Sequence, residues 1–250
     1  MQRFNSDGVT IAYKDEGAGQ PVLLIHGFAS NSTVNWRNTN WIKTLSNAGY
    51  RVIALDNRGH GQSEKLYDPE QYPARIMAED AMRLLDHLHI DRADIVGFSM
   101  GARIAAFLTI NHPERVRSVA FGGMGINLVR GIGGSDEIAK ALEAPSGEDI
   151  LDDDIRAYRV FAEQTNADLR ALAACMRASR EKILPEQIAR IKCPVLVAVG
   201  TEDVVAGSGQ ELADLIPGAE YLPIAGRDHM KSVGDLSHKK GVVEFLSRRA

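Results

Sequence analysis

Cysteine is scarce in this sequence, since Cys175 and Cys193 are the two cysteines in 250 residues. Two thiols in a chain of this length are too few for the disulfide framework of a small secreted protein. Long apolar runs are also missing: runs such as VLLI and VLVAV fall far short of the roughly 18 residues that cross a bilayer. The opening segment MQRFNSDGVTIAYKDEG has no apolar stretch typical of a signal peptide. We therefore expect a cytoplasmic protein with reduced thiols and no membrane partner.

Blocks of positive charge are absent as well. The chain has 29 Lys and Arg against 33 Asp and Glu, a net charge of −4, and no basic run longer than a pair. Binding to nucleic acid needs clustered cations, so we expect no nucleic-acid partner. Neither the phosphate-binding G-x-x-x-x-G-K-[ST] loop nor the H-E-x-x-H zinc pattern occurs. We expect no cofactor and no metal, and the sequence does not indicate an oligomeric state.

Short apolar runs alternate with amphipathic segments along most of the chain. QRF and VTIAYK flank the turn signal SDG and predict a β-hairpin. Helical patterns, for example over 76–90 and 100–111, separate the later apolar runs. Those runs predict buried strands at 21–26, 51–56, 93–98, 116–123, 193–200 and 219–224. The sequence therefore predicts an α/β fold, with a doubly wound, mostly parallel sheet of eight strands and an antiparallel hairpin at its N-terminus.

The segment 123–190 interrupts this alternation, because it contains no convincing strand. It begins with a glycine-rich stretch, and capping patterns at Ser146 and Thr165 then predict two helix starts. We interpret its acidic run EDILDDDIR as a solvated helix face. The prediction is a core domain formed by residues 1–122 and 191–250, into which 123–190 is inserted as a helical cap.

The pentapeptide GFSMG places Ser99 between two glycines. Because the chain has 23 glycines, this pattern also arises by chance, and the flanking sequence must decide its meaning. The apolar strand ADIVGF precedes Ser99, and a helical segment rich in Ala and Ile follows it. A serine on a sharp strand-to-helix turn has its hydroxyl lifted clear of the sheet, at a helix N-terminus that favours negative charge. The sequence therefore predicts that Ser99 is a nucleophile.

Five segments resemble motifs of the α/β-hydrolase family, and they follow the family's order along the chain. They are LLIHGF (23–28), LDNRGHGQS (55–63), VGFSMG (96–101), VAVGTEDVV (197–205) and IAGRDHM (224–230). The resemblance extends from Phe4 to Leu246 and implies the fold of that family with a Ser–His–Asp triad. We interpret LDNRGHGQS as a structural turn.

The resemblance assigns the other two members of the triad. Of the seven histidines, His229 lies in the loop after the final predicted strand, as the family's order of serine, acid and histidine requires. Asp203, at the end of the strand VLVAVG, is the predicted acid that orients the imidazole. Glu202 and Asp228 are the nearby alternatives.

The resemblance also implies an oxyanion hole formed by the backbone N–H groups of Phe28 and Met100. We predict a carboxylesterase that acts on a small-molecule ester through an acyl-enzyme. Similar triads serve lactonases, carbon–carbon bond hydrolases and cofactor-independent perhydrolases, and a non-catalytic ligand-binding protein of this fold is a further alternative. The side chains expected to contact substrate are Phe28, Trp36, Met124, Tyr158 and Phe161.

Overall fold

The structure is a computed structural model that describes residues 1–178 and 182–248. Its strands are β1 (Gln2–Ser6), β2 (Val9–Glu16), β3 (Gln20–Ile25), β4 (Tyr50–Leu55), β5 (Ala93–Phe98), β6 (Val116–Gly122), β7 (Val195–Gly200) and β8 (Glu220–Ile224). Its helices are α1 (Trp41–Asn47), α2 (Ala74–His87), α3 (Met100–Asn111), α4 (Asn127–Arg130), α5 (Ser135–Glu143), α6 (Asp153–Gln164), α7 (Leu169–Arg177), α8 (Pro185–Ile188), α9 (Gly209–Asp214), α10 (His229–Ser232) and α11 (Leu236–Ser247). Within these described ranges, no helix has the length and apolar character needed to cross a membrane.

The eight strands form one sheet in the order β1-β2-β4-β3-β5-β6-β7-β8. β1 and β2 form the predicted hairpin, β2 also pairs antiparallel with β4, and the remaining neighbours are parallel. Asp7 and Gly8 at the hairpin turn both have positive φ, 52° and 89°. Turns of this kind match the twist of hairpin strands. The predicted fold class is therefore confirmed.

Both faces of the sheet are covered by helices. In β3, Leu23 and Ile25 pack in a cluster with residues of α2, α3 and α9, whereas Val22 and Leu24 pack on the opposite face with residues of α1 and α11. All four side chains are fully buried. A parallel sheet covered on both sides requires such continuous apolar runs. Since parallel strands point the same way, the loops after β3, β5, β7 and β8 leave from one edge of the sheet, where ligands usually bind in such folds.

Helices α4 to α8 lie between β6 and β7, and we call them the inserted helices. Of the two helix starts predicted in this segment, the one at Ser146 is confirmed only as a 3-10 helix over Gly147–Asp149, and the one at Thr165 is wrong. Ser146 caps only a short 3-10 turn, and α6 begins after Asp152, whose carboxylate accepts from two backbone N–H groups. Thr165 instead ends α6, and Asp168 caps α7. A carboxylate at the positive end of a helix is a stronger cap than a single hydroxyl, so the aspartates set both boundaries.

The inserted helices have a small apolar core of their own. Leu142 of α5, Ala162 of α6 and Leu172 of α7 are buried together in it. Ala29, from the loop after β3, is fully buried in the same cluster. The carboxylates of the acidic run at 148–154 are exposed, as the sequence predicts. The inserted helices therefore pack directly on the loop that follows β3.

Candidate active site

Ser99 lies at the turn where β5 ends and α3 begins. Its backbone has φ 54° and ψ −117°, a conformation that L-residues rarely adopt. The Ser99 N–H donates to the Gly122 carbonyl (2.8 Å), and the Ser99 carbonyl accepts from the Ala102 N–H (2.9 Å). Gly101 allows α3 to approach β3, because a Cβ there would lie 2.0 Å from the Ile25 carbonyl oxygen. Strain held in place by surrounding contacts is typical of functional turns.

Three of the predicted residues meet at the carboxyl edge of the sheet. His229 Nε2 lies 3.0 Å from Ser99 Oγ, and His229 Nδ1 lies 2.8 Å from Asp203 Oδ2. Asp203 Oδ1 accepts from the N–H groups of Val205 (3.0 Å) and Ala206 (2.9 Å), and the Asp203 side chain is fully buried. With Nδ1–H donated to Asp203, Nε2 is the acceptor that faces the serine hydroxyl. This arrangement can take the proton of Ser99 as its oxygen attacks an electrophile.

The two alternative carboxylates lie in different surroundings. Asp228 caps α10 by accepting from the Lys231 N–H (2.8 Å), and its other oxygen pairs with the Lys231 ammonium (2.9 Å). These hydrogen bonds lower the pKa of the Asp228 carboxyl. Glu202 is exposed. Asp228 therefore holds the start of the short helix that begins at His229, and the structure places Asp203 against the imidazole.

The backbone N–H groups of Phe28 and Met100 lie in the two segments that adjoin Ser99. In the part of the chain that the structure describes, neither N–H has a hydrogen-bond acceptor. Met100 is the first residue of α3, and the first N–H groups of a helix have no partner within it. Phe28 follows Gly27, where a Cβ would lie 3.4 Å from Ser99 Cβ. Both amides can donate to an oxyanion formed on a carbon that Ser99 attacks.

His26 orients the peptide that carries the Phe28 amide. His26 Nδ1 lies 2.7 Å from the Gly27 carbonyl oxygen, and His26 Nε2 accepts from the Asn57 N–H at 2.9 Å. Burial lowers the pKa of His26, so the ring is neutral and donates from Nδ1. Because the chain contains no cis peptide bond in its described residues, a Gly27 carbonyl that points at His26 directs the Phe28 N–H to the opposite side.

The turn LDNRGHGQS is held together by buried polar contacts. Asp56 accepts from the Ser32 N–H at 2.7 Å. Arg58 donates to both carboxylate oxygens of Asp80, at 2.7 and 2.8 Å. Burial lowers the pKa of His60 to about 3, so this ring is uncharged at neutral pH. The turn thus supports the backbone around the loop after β3, in keeping with its interpretation as structural.

The five side chains expected to contact substrate lie in different places. Phe28 and Tyr158 face each other with ring centroids 6.3 Å apart, and Phe161 is partly buried in the same cluster. Met124 is buried in the main core. Trp36 is fully buried on the face covered by α1 and α11, with its ring edge-on to a second tryptophan. The assignment of Trp36 to the substrate pocket is therefore corrected: its large apolar ring fills the core.

The sequence patterns did not identify the packing behind His229. The Phe98 ring lies 5.3 Å from the His229 ring. The Ser232 hydroxyl donates to the His229 carbonyl (3.0 Å), and the Ser232 carbonyl accepts from His238 Nδ1 (3.0 Å). Burial lowers the pKa of His238 to about 4. His238 lies on α11, and its hydrogen bond to the Ser232 carbonyl, which only the three-dimensional packing shows, connects it to the site.

No group of three or more His, Cys, Asp or Glu side chains that could hold a metal ion occurs within residues 1–178 and 182–248. The Ser99 hydroxyl, the His229 imidazole, the Asp203 carboxylate and two backbone amides together can perform nucleophilic chemistry at a carbonyl.

Comparisons with known proteins agree with this architecture. A family model described as the alpha/beta hydrolase fold matches residues 20–130. The chain is 30% identical to BpoC of Mycobacterium tuberculosis, a protein named for non-heme bromoperoxidase activity, over 89% of this chain and 91% of that relative. The BpoC crystal structure matches with a TM-score of 0.73 and 27% identity, covering 95% of this chain and 94% of that one.

Two further relatives differ in their named activities. The chain is 40% identical to 2-hydroxymuconate semialdehyde hydrolase of a Pseudomonas species over 121 residues, which are 48% of this chain and 42% of that relative. The structure of Est816, described as an N-acyl homoserine lactone degrading enzyme, matches with a TM-score of 0.71 and 28% identity over 99% of both chains. This chain belongs to the α/β-hydrolase family.

Proposed function

We propose that this protein is a serine carboxylesterase that hydrolyses small or medium acyl esters. The supporting observation is the hydrogen-bonded series Asp203–His229–Ser99 beside two backbone N–H groups without acceptors in the described ranges. A serine with a positioned base and a nearby oxyanion site is the machinery of acyl transfer. A small-molecule ester is the proposed substrate.

The proposed reaction begins when His229 Nε2 accepts the proton of Ser99 as Oγ attacks the ester carbonyl carbon. The carbonyl oxygen gains negative charge, and the N–H groups of Phe28 and Met100 bind it. His229 then donates the proton to the departing alcohol, the carbon–oxygen bond breaks, and the acyl group remains on Ser99. Water deprotonated by His229 attacks this acyl-enzyme, and the carboxylic acid leaves as Ser99 regains a proton. Asp203 stabilises the imidazolium in both steps.

We also propose that residues 123–190 form a cap over this site, on a core domain of residues 1–122 and 191–250; of these ranges, 179–181 and 249–250 lie outside the described residues. Contacts of the inserted helices with the candidate active site support this division. Cys175 Sγ on α7 lies 3.9 Å from Met100 Sδ, and Tyr158 on α6 faces Phe28. Side chains of the cap would then select the acyl group.

Hydrolysis of p-nitrophenyl esters of increasing chain length tests the proposed activity. We expect Ser99→Ala to lower kcat/KM by roughly 10⁴-fold or more, because the substitution removes the attacking oxygen, without which neither the base nor the oxyanion donors can promote acyl transfer. Ser247→Ala, which removes an exposed hydroxyl on α11, is the matched control and should keep full activity. A fluorophosphonate probe should label the wild type and the control, but not Ser99→Ala. Retained hydrolysis in Ser99→Ala would refute the proposal.

Hydrolysis of a carbon–carbon bond is the second candidate, because of the 40% identity to 2-hydroxymuconate semialdehyde hydrolase. A substrate panel separates the two candidates. It contains a p-nitrophenyl ester, 2-hydroxymuconate semialdehyde, an N-acyl homoserine lactone, and acetate with hydrogen peroxide. A kcat/KM for any of the last three that exceeds the best ester value would replace the esterase assignment with that activity.

A further inference from the structure

The turn that carries Phe28 contains an alanine in a conformation that favours glycine. Ala29 has φ 56° and is fully buried. The Ser30 N–H donates to the Gly27 carbonyl (3.3 Å), which closes the turn over residues 27–30. An L-residue with a Cβ enters the left-handed region at a cost. Contacts from outside the turn must therefore hold Ala29 in this conformation.

Two hydrogen bonds from different parts of the molecule hold the ends of this turn. From the core, His26 Nδ1 donates to the Gly27 carbonyl (2.7 Å). From the inserted helices, Thr165 Oγ1 donates to the Ala29 carbonyl (2.7 Å). The same hydroxyl lies 3.0 Å from the Ala162 carbonyl oxygen, which is the longer of its two contacts. Thr165 is therefore placed to hold the second half of the turn.

The methyl group of Ala29 adds an apolar contact on the same side. It is buried in the cluster formed by α5, α6 and α7, which includes Ala162 and Leu172. The Phe28 ring, next to it in sequence, packs against that cluster and faces Tyr158. The turn that presents the Phe28 N–H is thus shared between the core and the inserted helices.

We propose that Thr165 is a positioning residue, which couples the placement of the inserted helices to the orientation of the Phe28 N–H. This inference rests on the proposed serine esterase function. Without the hydrogen bond from Thr165, Ala29 can relax toward negative φ. That change breaks the hydrogen bond from the Ser30 N–H to the Gly27 carbonyl, so the Gly27–Phe28 peptide loses the contact that closes the turn and the Phe28 N–H moves away from the oxyanion. The oxyanion site is then complete only while α6 is docked on the loop, so enclosure of the substrate and stabilisation of its charge occur together.

The test compares Thr165→Val, which has the same shape without the hydroxyl, with Thr165→Ser, which keeps the hydroxyl. We expect Thr165→Val to lower kcat for a p-nitrophenyl ester by about 10-fold, less than the loss of a whole oxyanion donor, and to change KM by less than about 2-fold. Thr165→Ser should stay within about 2-fold of the wild type. Thr109→Val is the matched control, because Thr109 also donates to a backbone carbonyl (Ala105, 2.7 Å) but lies on α3 away from the turn.

Inhibitor binding separates positioning from a general loss of structure. The Ki of a trifluoromethyl ketone, which forms an oxyanion on Ser99, should rise about 10-fold in Thr165→Val. The Ki of an ether analogue without a carbonyl should not change. Adding Ala29→Gly to Thr165→Val should raise kcat at least about 3-fold above that of Thr165→Val, because glycine adopts positive φ without the hydrogen bond from Thr165. Should the valine variant fail to fold, Thr165→Ala carries the same comparison.

Several results overturn the inference. They are a Thr165→Val variant with wild-type kcat, equal changes in both inhibition constants, or a serine variant as impaired as the valine variant. Each of these leaves the proposed function standing if wild-type protein hydrolyses esters and Ser99 is labelled. A wild-type protein that does neither refutes the proposed function itself.

Discussion

Replacing Gly101 by alanine tests whether the close contact between α3 and β3 holds the nucleophile turn in place. A Cβ at residue 101 would lie 2.0 Å from the Ile25 carbonyl oxygen and 2.7 Å from the His26 carbonyl oxygen. These are backbone atoms of the last residue of a buried central strand and of the residue that follows it, and they cannot rotate away as a flexible side chain can. The N-terminus of α3 must therefore retreat from the strand, together with Ser99 and Met100.

Two opposing effects set the size of the change. Alanine in place of glycine inside a helix stabilises by about 1 kcal/mol, whereas overpacking a buried contact costs about 1–3 kcal/mol. The shortest contact of the Gly101→Ala methyl, 2.0 Å, is 1.4 Å below the 3.4 Å at which ordinary contact begins, so the cost lies near the upper limit. The net loss is then about 2 kcal/mol. At about 2–4 °C per kcal/mol for a chain of this size, we expect the Tm to fall by about 4–8 °C.

Thermal unfolding followed by circular dichroism measures this change, with ester hydrolysis recorded on the same samples. Gly133→Ala is the matched control, because nothing lies within 4 Å of a Cβ there and its φ is not positive. Its Tm should stay within about 2 °C of the wild-type value, since a substitution in open space changes stability little. Gly101→Ala should also lose kcat as Ser99 shifts. A Gly101→Ala variant that melts at or above the wild-type Tm would refute the reasoning.

Two further predictions concern the candidate active site and its surroundings. Asp203→Asn should lower kcat by roughly 10³–10⁴-fold, because an amide no longer holds the Nδ1–H tautomer of the His229 imidazole. Glu202→Gln, which changes an exposed neighbour, should leave kcat unchanged. Equal rates for the two variants would contradict the role of Asp203 in orienting the imidazole. The buried His238, with its pKa lowered from 6.5 to about 4, should reduce the free energy of unfolding as pH falls through that range, by up to about 1.4 kcal/mol per pH unit, since the unfolded chain binds the proton first. In urea unfolding between pH 7 and pH 4, the free energy of unfolding should depend less steeply on pH in His238→Gln than in the wild type. An unchanged slope would contradict the lowered pKa of His238.

The strands of the sheet could be predicted from the sequence because burial on both faces leaves an unmistakable apolar signal. Leu23 and Val22 both had to be apolar, although they face opposite sides of β3. The helix boundaries of the inserted segment carried no comparable signal. Serine, threonine and aspartate compete for the same backbone groups at helix ends, so Thr165 looked like a helix start and in fact ends α6.

In the candidate active site too, some features could be predicted from the sequence and others could not. The sequence order and the strand ends predicted Ser99, Asp203 and His229 as the triad, and the structure brings these three side chains within hydrogen-bond distance, because parallel strands have their carboxyl ends at one edge. The sequence could not show which way a side chain packs. It therefore did not reveal that Trp36 is buried in the core, on the face of the sheet covered by α1 and α11. Nor could the sequence show the hydrogen bond from Thr165 to the Ala29 carbonyl, because the two residues are 136 positions apart.

The hydrogen bond between His229 and Ser99 joins residues 130 positions apart. At a synthesis rate of about 5–20 residues per second, Ser99 is made roughly 6–26 s before its base. During that time the serine has neither its imidazole nor the last two strands beside it. The proposed activity therefore begins only once His229 has been made and the C-terminal strands have joined the sheet.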